Sequence, residues 1–150
     1  MEQYLISIRK ATYDDKLILF NWANKFDSLS VKIENKNKIL LFEHEKWLSE
    51  RLRDTGTYIW IILKEKIPVG QIRFQKKIDK YFDIDIYLLA NERRRGTAKR
   101  ALHLAHKESA LVALRALVKK NNINSYNFFL RNSFYLESED EFKWVLKKNN

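Results

Sequence analysis

A chain of 150 residues that is 45% hydrophobic and 13% aromatic can bury a real core, which excludes a disordered polymer and predicts one domain over residues 1–150. It contains no cysteine, so disulfide scaffolds and thiolate metal sites are excluded and a reducing cytoplasm is the expected setting. The formal net charge of +10 asks for an anionic partner, either nucleic acid or a phosphorylated small molecule.

Residues 4–9, YLISIR, alternate and predict a strand. The stretch around them lacks the basic-then-apolar layout of a signal peptide, and no apolar run reaches membrane-spanning length, so no membrane partner is expected. Thr12, with Asp15 three residues on, reads as a capping box that opens a helix through 16–25. FEHEKWLSERLRD (42–54) predicts a second helix with Phe42, Trp47, Leu48 and Leu52 near one face. Three strand-like runs follow at 58–63, 69–75 and 81–89, separated by short turns, which is the signature of an antiparallel meander. In the third run Phe82, Ile84, Ile86 and Leu88 share one face, and Asp83, Asp85 and Tyr87 the other. After Gly96 the period changes to helical over 97–110. LRALV (114–118) reads as a strand, or as a continuation of that helix, because no glycine or proline separates them. A short helix over 125–132 and two strands, 133–137 and 141–146, finish the chain. The order predicts an α/β fold, an α+β mixed sheet with helices on both faces. The strand-to-helix crossover at 89–98 is expected to join two parallel strands.

NERRRGTAKRAL (91–102) sets three arginines before one of only three glycines, between a strand and a helix N-terminus. An anion placed there meets unpaired amides, the positive end of the helix dipole and guanidinium donors together, and Gly96 lets the backbone approach closely.

RRRGTAKRAL resembles the acetyl-CoA pyrophosphate loop of the GNAT family of N-acetyltransferases, whose core is Arg/Gln-x-x-Gly-x-Gly/Ala. Two registers fit: Arg93-x-x-Gly96-x-Ala98, or Arg95-Gly96 with Ala98 where the second glycine usually stands. Downstream, NINSYNFFLRNSF is similar to the family's second signature, with Asn122, Ser125, Phe129, Arg131 and Phe134 on its positions. The resemblance covers nearly the whole chain and implies a sheet splayed beside the cofactor. It places the pyrophosphate of acetyl-CoA on Arg95, Gly96, Thr97, Ala98 and Lys99, assisted by Arg93, Arg94 or Arg100. Amides near Leu88 and Leu89 would hold the pantetheine arm and the thioester oxygen, and Asn122 would bond the arm beside Phe129. Ser133 replaces the glycine that usually precedes the final Phe. Phe129 stands where many members carry a proton-donating tyrosine, so either Tyr126 or Tyr135 substitutes, or water does, or the chemistry is slow or absent.

For a general base the candidates are Asp85, Asp83, Glu43 and His44. His103 and His106 sit three apart on a helix without a third ligand type nearby, so no metal is expected. NWANKFDSLS, EHEKWL and PVGQIRF resemble a subset of the family that acetylates nucleotide-linked amino sugars in surface-glycan biosynthesis. That resemblance implies an acceptor pocket of Trp22, Asn24, His44, Trp47, Gln71 and Arg73, with Arg73 facing phosphate. Two other readings stay open: a transferase for a protein amine or aminoacyl-tRNA, and a GNAT-fold protein that binds CoA or nucleic acid without catalysis. A homodimer is left open as well.

Overall fold

A seven-stranded mixed sheet organises the protein, seen in a computed structural model that describes residues 4–25 and 38–149. Four strands form an antiparallel run: β1 (Ile6–Lys10), β2 (Thr57–Lys64), β3 (Ile67–Lys76) and β4 (Phe82–Leu88). β4 then lies parallel to β5 (Leu114–Lys119). β7 (Lys143–Lys148) inserts between β5 and the edge strand β6 (Tyr135–Glu139), for an order β1-β2-β3-β4-β5-β7-β6. This is the mixed α/β architecture expected, with its one parallel pair at the crossover.

Among the described residues four helices pack on the sheet: α1 (Lys16–Ala23), α2 (Leu41–Arg53), α3 (Thr97–Glu108) and α4 (Ile123–Arg131). On one face Ala101, Leu102 and Ala105 of α3 and Phe129 of α4 join Trp60, Ile72, Phe74 and Leu88 in the larger core. On the other, Leu19 and Trp22 of α1 and Leu48 of α2 cover Ile59 and Ile61. The capping box forms: the Thr12 amide donates to Asp15 Oδ2 at 2.8 Å, and a 3-10 turn over Tyr13–Asp15 leads into α1. Asp15 is also held by Arg9 in a two-pronged bond of 2.8 and 2.9 Å. Among the described residues no helix is long and apolar enough to cross a membrane.

One expectation changes and one alternative is settled. The buried stripe of α2 runs through His44 and Leu48, while Phe42 is 70% exposed and Leu52 also faces solvent. Hydrophobicity alone placed Leu48 and Trp47 correctly and Phe42 and Leu52 wrongly, because the imidazole packs in as an aromatic. The strand over 114–118 is real, and the continuous helix is excluded. Ala110 (φ 62°) and Leu111 (φ 59°) are both left-handed and break α3 without a glycine, and the Leu111 amide closes onto the His106 carbonyl at 2.8 Å.

The parallel pair is joined only at its start, Phe82↔Leu114 and Asp83↔Arg115. Arg115 pins that end by donating to Asp83 at 2.6 Å and to Asp79 at 2.7 Å. Beyond it the strands are drawn apart. β5 is registered with β7 along its whole length. β4 is held hard against β3 at Gly70, where an added Cβ would run into the Tyr87 carbonyl and lie 2.8 Å from Leu88 Cδ2. The result is a seam that opens toward the C-terminal ends of both strands.

Candidate active site

A cleft of about 830 Å³ follows the open seam. β4 contributes Ile84, Asp85, Ile86 and Leu88 to one wall, and β5 contributes Leu117, Val118 and Lys119 to the other. The Leu89 amide donates to the Val69 carbonyl at 2.9 Å. Strand alternation therefore points the Ile86 and Leu88 N–H groups away from β3 and into the seam. Of the two expected amides, that of Leu88 points into the seam and that of Leu89 does not, because its hydrogen is spent on β3.

One end of the cleft is the arginine loop. Gly96 is the N-cap of α3 at φ 82° and Arg94 is also left-handed at φ 61°, so the chain turns sharply on either side of Arg95. The Arg100 amide bonds to the Gly96 carbonyl at 3.1 Å, which leaves the Thr97, Ala98 and Lys99 amides without helical partners at the positive end of the dipole. A Cβ built on Gly96 meets nothing within 4 Å, so the space above the loop is open. Ala98 lies inside the helix, where alanine is at no disadvantage to glycine. Arg94, Gly96, Ala98 and Lys99 line the cleft; Arg95 and Thr97 do not. Arg93 also lines it, yet its Nε donates to the Leu88 carbonyl at 3.0 Å and its guanidinium lies 5.6 Å from the Tyr87 ring. It braces the loop against the end of β4. Arg100 stays outside.

The other wall is α4. Asn122 caps the helix, its Oδ1 accepting the Ser125 amide at 3.2 Å, so only its Nδ2 is left for a ligand. Ser125, Phe129 and Arg131 line the cleft as expected. Phe129 is 7% exposed and packs on Phe128 and Phe134, with no hydroxyl to offer. Neither expected tyrosine substitutes for it. Tyr126 stacks on Trp144 at 4.1 Å, and the Tyr135 hydroxyl accepts from Asn149 at 3.3 Å on the β6–β7 side. Lining residues not foreseen are Lys119, Asn124, Asn127, Phe128 and Asn132. The helical period counted from Asn124 groups it with Asn127, Phe128 and Arg131 on one face.

Asp85 reaches through the seam. It lines the main cleft and also a smaller opening of about 150 Å³ on the other side, shared with Arg73, Gln75, Lys77 and Asp83. Gln71, 7% exposed, donates Nε2 to Asp85 Oδ2 at 2.7 Å, and Arg73 lies over the Trp47 ring at 4.9 Å. The remaining acceptor and base candidates fall elsewhere. His44 is 5% exposed between the Phe20 and Trp47 rings, and Glu43 faces solvent away from both openings. Trp22 is core, against Tyr87. Asn24 spends both ends of its amide on the Ile39 main chain, at 3.0 and 2.8 Å, and so clasps two chain segments rather than a ligand. Phe26–Ser30 of the NWANKFDSLS resemblance lie outside the described residues. His106 turns Nε2 onto the Val112 carbonyl at 2.8 Å while His103 stays exposed, so the two rings do not converge. Burial holds the His106 imidazole below its ordinary range.

Over residues 17–134 the sequence matches the model of the acetyltransferase (GNAT) family. Among solved structures it is similar to a domain from Methanocaldococcus jannaschii, with TM-score 0.84 and 19% identity over 99% of this chain and 100% of that one. It is also similar to a ribosomal-protein-alanine N-acetyltransferase from Brucella melitensis, with TM-score 0.79 and 20% identity over 96% and 99%. A PaiA N-acetyltransferase from Thermoplasma acidophilum, solved with coenzyme A, gives TM-score 0.78 and 17% identity over 97% and 99%. At these identities the likeness is one of fold. A comparison with curated protein sequences gave no match.

Proposed function

The chain belongs to the GNAT family of acetyltransferases, and from that membership we propose that it acetylates the amine of a nucleotide-linked amino sugar, the whole chain working as one cytoplasmic catalytic domain. It is an acetyl-CoA-dependent N-acetyltransferase. The cleft fits that donor: it is roomy, open above Gly96, and lined by amides that secondary structure leaves unspent.

Acetyl-CoA brings an acyl group already activated as a thioester. The α3 amides from Thr97 to Lys99, with Arg94 and Lys99, bind its pyrophosphate. The Leu88 N–H polarises the thioester oxygen, and Asn122 Nδ2 and the Phe129 ring hold the arm. Asp85 takes the proton that the attacking amine must lose, directly or through a water.

The observation that carries the acceptor class is the smaller opening. Asp85 shares it with Arg73 and Lys77, so a place for an amine adjoins a place for phosphate. An acceptor with both groups a few bonds apart suits it, and a nucleotide-linked amino sugar is such a molecule. A protein amine is the second reading, favoured by the fold likeness to the ribosomal-protein-alanine enzyme. Binding of acetyl-CoA without turnover is the third, favoured by Phe129.

Calorimetric titration with acetyl-CoA, followed by turnover assays on UDP-linked amino sugars and an alanine-initiated peptide, separates them. One-to-one binding with turnover on a UDP-linked amine is the expected result. Turnover on the peptide alone would replace the acceptor, and binding with no turnover on any amine would overturn the enzymatic reading.

A further inference from the structure

Arg73 and Asp85 are directly opposite one another in the β3–β4 ladder, where cross-strand side chains of opposite charge ordinarily pair. Here they do not. The Arg73 guanidinium lies over the Trp47 ring at 4.9 Å, and among the described residues no ion pair joins it to Asp85. Asp85 is met instead by a neutral group. Gln71, one register pair away on the same face of β3, spends its buried amide on Asp85 Oδ2 at 2.7 Å.

The same strand shows the alternative. Asp83, two residues earlier and on the same face, is taken by Arg115 at 2.6 Å, with a second bond from Arg115 to Asp79. A carboxylate held that way is already engaged by a cation. Asp85 is the carboxylate that reaches both openings, and it is the one spared an arginine.

We infer that Trp47 and Gln71 are positioning residues for the transfer: Trp47 parks Arg73 on its ring face, and Gln71 orients the Asp85 carboxylate with a neutral donor, so that Asp85 remains a usable base. The inference rests on reading Asp85 as the proton acceptor. The charged and titratable groups around it are Arg73 and Lys77 from the β3 side, Asp83 and Tyr87 on β4, Arg115 on β5, His44 behind Trp47 on α2, and, lining the main cleft, Arg93, Arg94 and Lys99 from the loop and α3, Lys119 at the end of β5 and Arg131 on α4. Of these, Arg73 alone is both cationic and directly opposite. Parking also leaves Arg73 ready for an anionic acceptor, whose arrival would draw it away from the base rather than onto it. Stacking on an aromatic face suits arginine, whose planar guanidinium is weakly hydrated.

The test needs no acceptor. The side-chain amide of Gln71 gives NMR signals that follow the ionisation of the carboxylate it bonds to, so its pH-dependent movement is recorded in wild type, D85N, W47L, R73Q and W47L/R73Q; Q71L, which removes the reporter, enters only the turnover comparison. The movement is expected in wild type and absent in D85N. In W47L it should shift to lower pH by about one unit or more as Arg73 falls onto Asp85, and W47L/R73Q should restore it. R73Q alone, which removes the guanidinium from the Trp47 ring without bringing a cation to Asp85, should move it far less than W47L does. An unmoved transition in folded W47L, or a shift in R73Q alone as large as that in W47L, would overturn the inference.

Turnover at neutral pH, on whichever UDP-linked amine, spermine or peptide reacts fastest, is then compared across the set. W47L and Q71L should lower kcat with acetyl-CoA affinity unchanged, and R73Q should rescue W47L in kcat, a rescue that lost packing would not show. D85N should cost about a hundredfold or more. Full turnover in D85N alongside the expected NMR pattern would remove the base role and, with it, the functional meaning of the arrangement, while leaving the transferase assignment intact.

Discussion

Gly96 and Gly70 are both required, for opposite reasons. Gly96 sits at φ 82° with open space around it, so what excludes other residues is backbone conformation and, once a ligand arrives, the ligand itself. Gly96→Asp should cost only about 1–2 kcal/mol of stability but weaken acetyl-CoA binding at least tenfold, read by calorimetry on the folded variant. Undiminished affinity would move the pyrophosphate elsewhere. Gly70 has no room: β4 passes too close for any Cβ. Gly70→Ala should lower unfolding free energy by about 1–3 kcal/mol in urea denaturation, and should also reduce turnover, because the strand it displaces carries Leu88 and Asp85. His106 supplies a pH prediction. Burial depresses its folded pKa, while the contact with the Val112 carbonyl favours the charged form but does not prevail. The unfolded chain therefore takes up the proton first. The stability His106 contributes is present above its unfolded value near 6.5 and is lost as pH falls from there through the folded value. The melting temperature should decline over that range, and His106→Gln should flatten the decline even if it lowers the plateau. An identical slope in the variant would mean other groups govern it.

At the level of elements, strands were the most legible part, because alternation in YFDIDIYLL divides the two faces as the structure does. The end of α3 was not legible, since its stop signal is two left-handed residues, Ala110 and Leu111, rather than a glycine. The face of α2 was misjudged because His44 takes a core position that Phe42 seemed better suited to. The candidate site divides the same way. The loop and Asn122 announce themselves through helix-capping chemistry, which is local. Tyr126, Asn24 and Leu89 were assigned roles that their partners preclude, and those partners, Trp144, Ile39 and Val69, lie outside their immediate sequence neighbourhood. The end of α4 repeats the glycine-free stop: Ser133 adopts φ 72°, and the Phe134 amide closes onto the Phe129 carbonyl at 3.0 Å. A left-handed non-glycine residue costs about 1–2 kcal/mol, and glycine gives back about 0.4–1 kcal/mol through the freedom of the unfolded chain. Ser133→Gly should therefore stabilise the protein by up to about 1 kcal/mol, measured by chemical denaturation. A loss of stability would show that the Ser133 side chain makes a contribution of its own.

Across the whole molecule, charge is distributed unevenly. Many carboxylates are paired, as in Arg9–Asp15, Lys64–Glu92, Arg115–Asp83 and Lys147–Glu137. Among the described residues Arg94, Arg95, Lys99 and Arg100 make no ion pair, so part of the excess behind the +10 gathers around the loop at α3. The composition pointed to an anion, and the fold says where it would be met. The seam between β4 and β5 sets the traffic. It opens on both faces of the sheet with Asp85 between them, so on the proposed reading donor and acceptor would enter by separate doors and neither must leave before the other arrives. With no cysteine in the chain to carry an acyl group between visits, the reaction should run through a complex of all three partners. Initial rates at several fixed acceptor concentrations should give intersecting double-reciprocal lines. Parallel lines, the mark of a substituted enzyme, would mean that the acetyl group rests on the protein on its way through the sheet.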